Sequence, residues 1–167
     1  MNPLEPPDTI YLQAAQGWLE LGNHVEADEE LDQITPQHRA HPDVLQLRWQ
    51  IKATAGRWDA CLDIATALAK TAPERRSGWV FQAVSLQRLE RAGEARNVLL
   101  LVIDRFGPNA TIPYYLACFC CRLARLDEAK KWLEKAFMVA ASPEETSRLK
   151  LRALDDPDLE PIWKHLS

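Results

Sequence analysis

The residues that most invite a chemical reading are Cys118, Cys120 and Cys121, in which Cys118 and Cys121 have the C-x-x-C spacing of redox pairs and metal sites. Thiols three apart on a helix share a face. Redox pairs, however, start a helix, where the dipole lowers the thiol pKa, and a structural zinc needs four ligands. Here the stretch reads as mid-helix, and the remaining cysteine, Cys61, lies far upstream. Packing is the expected role, because a free cysteine is a small and habitually buried side chain. A thiol redox or metal protein built on Cys118 and Cys121 is kept as the low alternative. His38 and His41 stand three apart, but no carboxylate or thiol pattern joins them, and they read as solvated loop histidines. The run Asp28, Glu29, Glu30 reads as a solvated helix face. No glycine-rich phosphate loop, nucleophile elbow or histidine metal motif is present. The sequence therefore predicts no catalytic residue, no cofactor, no metal and no enzyme activity.

The totals narrow the field further. The chain has 167 residues, 24 acidic and 20 basic, for a formal charge of −4, so it lacks the basic field that phosphate backbones require. Nucleic acid is not an expected partner. No apolar run reaches bilayer-spanning length, and the opening stretch has neither a basic n-region nor an apolar h-region, which predicts a cytoplasmic protein without membrane contact. Four cysteines without a spaced disulfide framework agree with that compartment.

The elements that would position any site are helices. Three prolines in the first eight residues predict an extended arm, with Asp8 as N-cap of a first helix over residues 10–21 that Gly22 and Asn23 stop. A second helix spans about 25–34 and ends at Thr35-Pro36. His41-Pro42-Asp43 opens the next hairpin. Its first helix reaches Ala55, Gly56-Arg57 turns the chain, and Trp58 begins a partner helix that Pro73 closes. A third hairpin starts near Ser77, turns at Glu90-Arg91 and runs to Phe106 before Gly107-Pro108. A fourth begins at Thr111, which places Pro113 in the first turn, and breaks at Ala124-Arg125. Ser142, Pro143 and Glu145 form a capping-box start for a helix to about Leu154. After the break at Asp155-Asp156-Pro157-Asp158, the stripe Leu159, Ile162, Trp163, Leu166 predicts a last short helix that seals the final hairpin.

These hairpins repeat. Ala27, Cys61, Ala95 and Ala129 stand at 34-residue steps, as do Leu31, Ala65, Leu99 and Leu133, then Ile34, Leu68, Val102 and Ala136, then Leu21, Ala55, Leu89 and Leu123. The period and the two-helix unit resemble the tetratricopeptide repeat (TPR), most closely at Gly56-Arg57-Trp58 with Cys61 and Pro73, and at Leu116-Ala117 with Leu126-Asp127-Glu128-Ala129. The likeness is to bacterial-type repeat proteins whose role is unassigned. It implies an all-α, right-handed α-solenoid of about four hairpins (residues 9–41, 42–75, 76–109 and 110–141) behind an extended arm (1–8) and followed by capping helices (142–167). Two residues depart from the pattern. Trp49 stands where the family has a small residue, and Pro113 stands where it has a large apolar one. Trp49 is expected either to open its hairpin or to fill the space beside Ala53 and Ala65.

In the family resembled, first helices line a concave groove. The inward register maps to Leu12, Gln16, Leu47, Gln50, Val80, Phe81, Val84, Arg88, Tyr114, Tyr115, Cys118 and Arg122. Aromatic residues beside Arg88 and Arg122 imply that the second half of the groove takes an extended or helical peptide through apolar anchors and an acidic group. No lysine or asparagine stands at the inward places where some relatives clamp a terminal carboxylate. The resemblance thus implies a non-catalytic adaptor or scaffold for another protein or peptide, monomeric or a weak homodimer. The alternative is a small chaperone for a secreted or unstable client.

Overall fold

The structure, a computed structural model, describes residues 3–165, and these contain α-helices and two short 3-10 segments but no strand. Two compact units divide at Ser85 and Leu86, inside one helix. The first unit contains α1 (Asp8–Glu20), α2 (His24–Asp32), a 3-10 turn (Pro36–His38), α3 (Pro42–Thr54), α4 (Trp58–Thr71) and most of α5 (Arg76–Arg88). The second contains the end of α5, then α6 (Ala92–Val102), α7 (Thr111–Arg122), α8 (Leu126–Met138), α9 (Pro143–Asp155) and a 3-10 segment, Pro157–His165. No described helix is long and apolar enough to cross a membrane.

One turn recurs. Gly22, Gly56, Glu90 and Ala124, at 34-residue steps, have φ of +81°, +68°, +60° and +57°. At each, the left-handed residue donates its N–H to the carbonyl three residues back, and the next residue donates to the carbonyl five back: Gly22 to Leu19 and Asn23 to Trp18, Gly56 to Ala53 and Arg57 to Lys52, Glu90 to Gln87 and Arg91 to Leu86, Ala124 to Cys121 and Arg125 to Cys120. This paired bonding satisfies carbonyls that a helix end otherwise leaves open, and it reverses the chain within three residues.

The reversal brings paired helices together at small side chains. Ala27, Cys61, Ala95 and Ala129 each have 0% exposure, and the columns through Leu31 and Ile34 are buried at every step. The Leu21 column differs. Leu21 and Leu123 are helix C-caps, already leaving the core, and they are exposed. Trp49 fills its space: it packs with Cys61, Ala65 and Ala53, and its ring nitrogen donates to Ser85 Oγ at 3.0 Å. Gly78 on α5 lies against α4 so closely that a Cβ would sit 2.8 Å from Ala69 N. Pro113 is buried in the first turn of α7.

Several local expectations are corrected. Asp8 is not an N-cap. It is the first residue of α1, buried, accepting from Thr35 N and Thr35 Oγ1 at 2.9 Å each and lying against His38 Nδ1. His38 is thus paired with a carboxylate 30 residues upstream, and buried His41 caps α3 by accepting from Asp43 N. Asp28 is not merely solvated, since it meets Arg48 and Lys52 of α3. α6 stops at Val102 rather than Phe106, and α2 stops at Asp32. Ser142 caps α9 as expected, while Glu145 reaches back to Ala141 N at 2.6 Å. The last segment winds as 3-10 and contains Pro161, which has no N–H to donate and is unfavourable in an α-helix interior. Of its stripe, Leu159 and Ile162 are fully buried, and Leu166 lies outside the described residues.

Space around Gly56 is open, so Gly56→Ala meets only the backbone cost of a left-handed alanine, about 1–2 kcal/mol. Ala124→Gly relieves that cost and returns part of it as unfolded-chain entropy, for a net gain of roughly 0.5–1 kcal/mol. Thermal melts of the two variants are expected to move in opposite directions. Thr35 N–H and then His38 hold the Asp8 carboxyl below its usual value near 3.8. A depressed folded pKa contributes stability above the unfolded value and loses it as pH falls through the folded one. Melts of Asp8→Ala should therefore lie below wild type at neutral pH by a constant margin, which shrinks once pH drops below about 4.

Candidate functional site

In the second unit the face of α7 carries the bend between α9 and the last 3-10 segment. α7 begins where Asn109 Oδ1 accepts Ile112 N–H at 3.1 Å, and it buries Ile112, Leu116, Ala117 and Phe119. Its predicted inward column, Tyr114, Cys118 and Arg122, points at the segment that follows α9. Asp156 ends α9 in extended conformation, and its Oδ1 accepts Asp158 N–H at 3.1 Å, which fixes the bend around Pro157. Apolar residues pin both sides of that bend. Ala153, Leu159 and Ile162 are fully buried, and Trp163 donates its ring N–H to Ala153 O at 2.8 Å.

The bend meets α7 through carboxylates. Tyr114 donates to Asp156 Oδ2 at 2.9 Å, with Cys118 Sγ 3.8 Å from the same oxygen. Arg122 donates to Asp158 Oδ1 at 3.2 Å, and through its other terminal nitrogen to both oxygens of Glu90 at 2.7 and 2.9 Å. Gln87 completes Asp158 at 2.7 Å. The Arg152 guanidinium lies 4.5 Å from the Tyr114 ring centroid and 5.5 Å from that of Tyr115. Tyr114 retains only 1% of its surface. Burial, then nearby Cys118 and Asp156, push its hydroxyl far above the ordinary tyrosine value, so it stays a hydrogen-bond donor.

The other predicted residues fall in different settings. An open recess of about 270 Å³ between α1 and α3 is lined by Leu12, Gln16, Leu47 and Gln50, together with Gln13, Asp43 and Gln46. Within it Leu47 belongs to the core and Gln16 donates to Glu20. Val80 is buried, Phe81 stacks on Trp49 with centroids 3.9 Å apart, and Val84 packs beside it. Tyr115 is half-buried, and Arg88 is exposed near the end of α5. Asp156, Asp158, Gln87 and Arg152 are the contacting residues that no sequence motif marked. The acidic run 155–158 read only as a helix break.

The cysteines are packing residues. All four are buried and free. Burial raises every thiol, to about 11 for Cys61 and Cys121 and well above the usual value for Cys118. Among the described residues no group of three or more His, Cys, Asp or Glu side chains is placed to hold a metal ion.

No family model matches the chain, and no curated protein matches it. Solved structures do. A portion of MamA from Desulfovibrio magneticus RS-1 superposes with a TM-score of 0.72 at 16% identity, covering 98% of this chain and 93% of that one. A double mutant of MamA RS-1 gives the same score and identity. A thermophilic TPR protein of Thermus thermophilus superposes with a TM-score of 0.70 at 16% identity, covering 95% and 98%. In fold, the chain is a TPR-like helical-repeat protein. Its class is an all-α solenoid of paired helices with C-terminal capping helices.

Raised pKa values leave on the order of 0.1% thiolate at pH 8 for a thiol near 11. A chromogenic disulfide reagent should label the native TPR-like protein slowly, and label all four cysteines at once in denaturant. Fast labelling of one native thiol would reopen the redox reading.

Proposed function

We propose that this protein is a non-catalytic interaction module, an adaptor or scaffold that holds an extended segment of another protein against its first helices. The observation that carries this reading is the strap on α7. Tyr114, Cys118 and Arg122 already grip the bend between α9 and the last 3-10 segment, and two repeats earlier the same register holds Gln46, Gln50 and Thr54 on α3. Gln46 and Gln50 line a recess that stands open. Glutamine amides both donate and accept, and so match the alternating N–H and C=O groups of an extended backbone.

In the first unit Leu12, Gln16, Leu47 and Gln50 form the floor and wall of the proposed site. Val80, Phe81 and Val84 serve it by fixing Trp49 and the helix packing. In the second unit Tyr115 and Arg88 stand with Tyr114, Cys118 and Arg122 as the corresponding set. No cofactor enters this reading, and selectivity rests on side-chain pockets and a few strong contacts.

A photo-crosslinking residue in place of Gln50, introduced in the native cell, tests it. The expected result is a crosslink to one defined segment of a partner, lost when Gln16 is changed to Arg. Crosslinking from exposed Asp63 of α4 with the same partner, and none from position 50, would place binding on the other helices and overturn the reading.

A further inference from the structure

We propose that the α7 face of the second unit is a reader of acidic segments, of the pattern carboxylate, any residue, carboxylate, aliphatic residue, and that Asp156, Asp158 and Leu159 are its resident occupant. An external occupant rests on the interaction reading above; the resident one does not.

Sealing the end of a helical array requires only apolar cover, and Leu159, Ile162 and Trp163 supply it. The polar contacts exceed that need. Two carboxylates at i and i+2 meet four donors drawn from two helices: Tyr114 and Cys118 on Asp156, and Arg122 and Gln87 on Asp158. A carboxylate gripped by tyrosine and a charge-assisted guanidinium bond is a recognition geometry for an acid. Arg152, stacked over both tyrosine rings, adds positive charge to the same face. Every one of these bonds ends on a side chain of the strap, so a foreign segment with the same spacing satisfies them equally. Arg122 also holds Glu90, a residue open to solvent, so one guanidinium serves two carboxylates at once.

The resident segment competes from a tether. Asp156 directly follows α9, so the resident carboxylates compete from within the same chain, and an outside acid must exceed that intramolecular supply before it enters. The face is therefore gated by the chain's own aspartates. Neutralising them should weaken the whole resident grip, Leu159 included, while Ile162 and Trp163 continue to cover the end of the array.

The probe is a fluorescent peptide with the sequence of residues 153–163, titrated against the full-length protein and against full-length Asp156→Asn/Asp158→Asn. The expected result is at least about tenfold tighter binding to the neutralised protein, because its tethered competitor is weakened. The same peptide with both aspartates changed to asparagine should lose that binding, as should the wild-type peptide when Arg122→Ala is added to the neutralised protein. Equal binding of the aspartate and asparagine peptides, or none to a neutralised protein that melts cooperatively, would make the segment a cap only and overturn the proposal. If the neutralised protein does not fold, hydrogen exchange of wild type decides. Excess aspartate peptide should speed exchange at residues 156–163 and leave the middle of α7 unchanged, and no change at residues 156–163 would overturn the proposal. Crosslinking at Gln50 reports on the first unit alone, so the two ideas fail separately.

Discussion

The reversal at Gly22, Gly56, Glu90 and Ala124 is the constraint on which the structure depends. A residue in left-handed conformation lets two N–H groups fold back onto the end of the preceding helix, and only then can the next helix start within a few residues and lie alongside. Five residues beyond each reversal stand Ala27, Cys61, Ala95 and Ala129, each without solvent exposure. A larger side chain there would separate the pair and uncover the leucine columns behind it. Backbone geometry at one position thus sets the permissible volume at another.

Within that frame the chain tolerates large residues where small ones face them. Trp49 is accommodated because Cys61, Ala65 and Ala53 leave room, and its indole N–H finds Ser85 instead of remaining unpaired. Phe81 then lies flat on the Trp49 ring. The close approach of α5 to α4 needs Gly78 for the opposite reason, since the backbone of Ala69 occupies the place of a Cβ. Volume is conserved across the contact while it is redistributed along the sequence.

Charge adds register to packing. Arg48 and Lys52 of α3 reach Asp28 and Asp32 of α2, and Arg96 of α6 reaches Glu128 of α8, each pair tying one hairpin to its neighbour. Asp8 ties the start of α1 to the loop after α2. In the second unit the same device serves the C-terminal strap, whose aspartates lie across α7. The corresponding stretch of the first unit is an open recess of amides. This contrast gives the two units different surfaces from one repeating backbone plan.

The sequence by itself determined the helix pairs, their turns and their buried columns, because those follow from interactions within a few residues and from a spacing repeated along the chain. Thr111, Trp58 and Leu126 start helices where their local signals place them. Tertiary structure alone decided which polar residues meet. Asp8 looked like a local cap and is held from 27 and 30 residues away, Asp156 and Asp158 looked like a simple break and lie on α7, and Tyr114 looked like groove surface and is buried beneath them. Such contacts join segments whose separation carries no periodic trace, and a carboxylate's partner is fixed only when distant helices have already been placed.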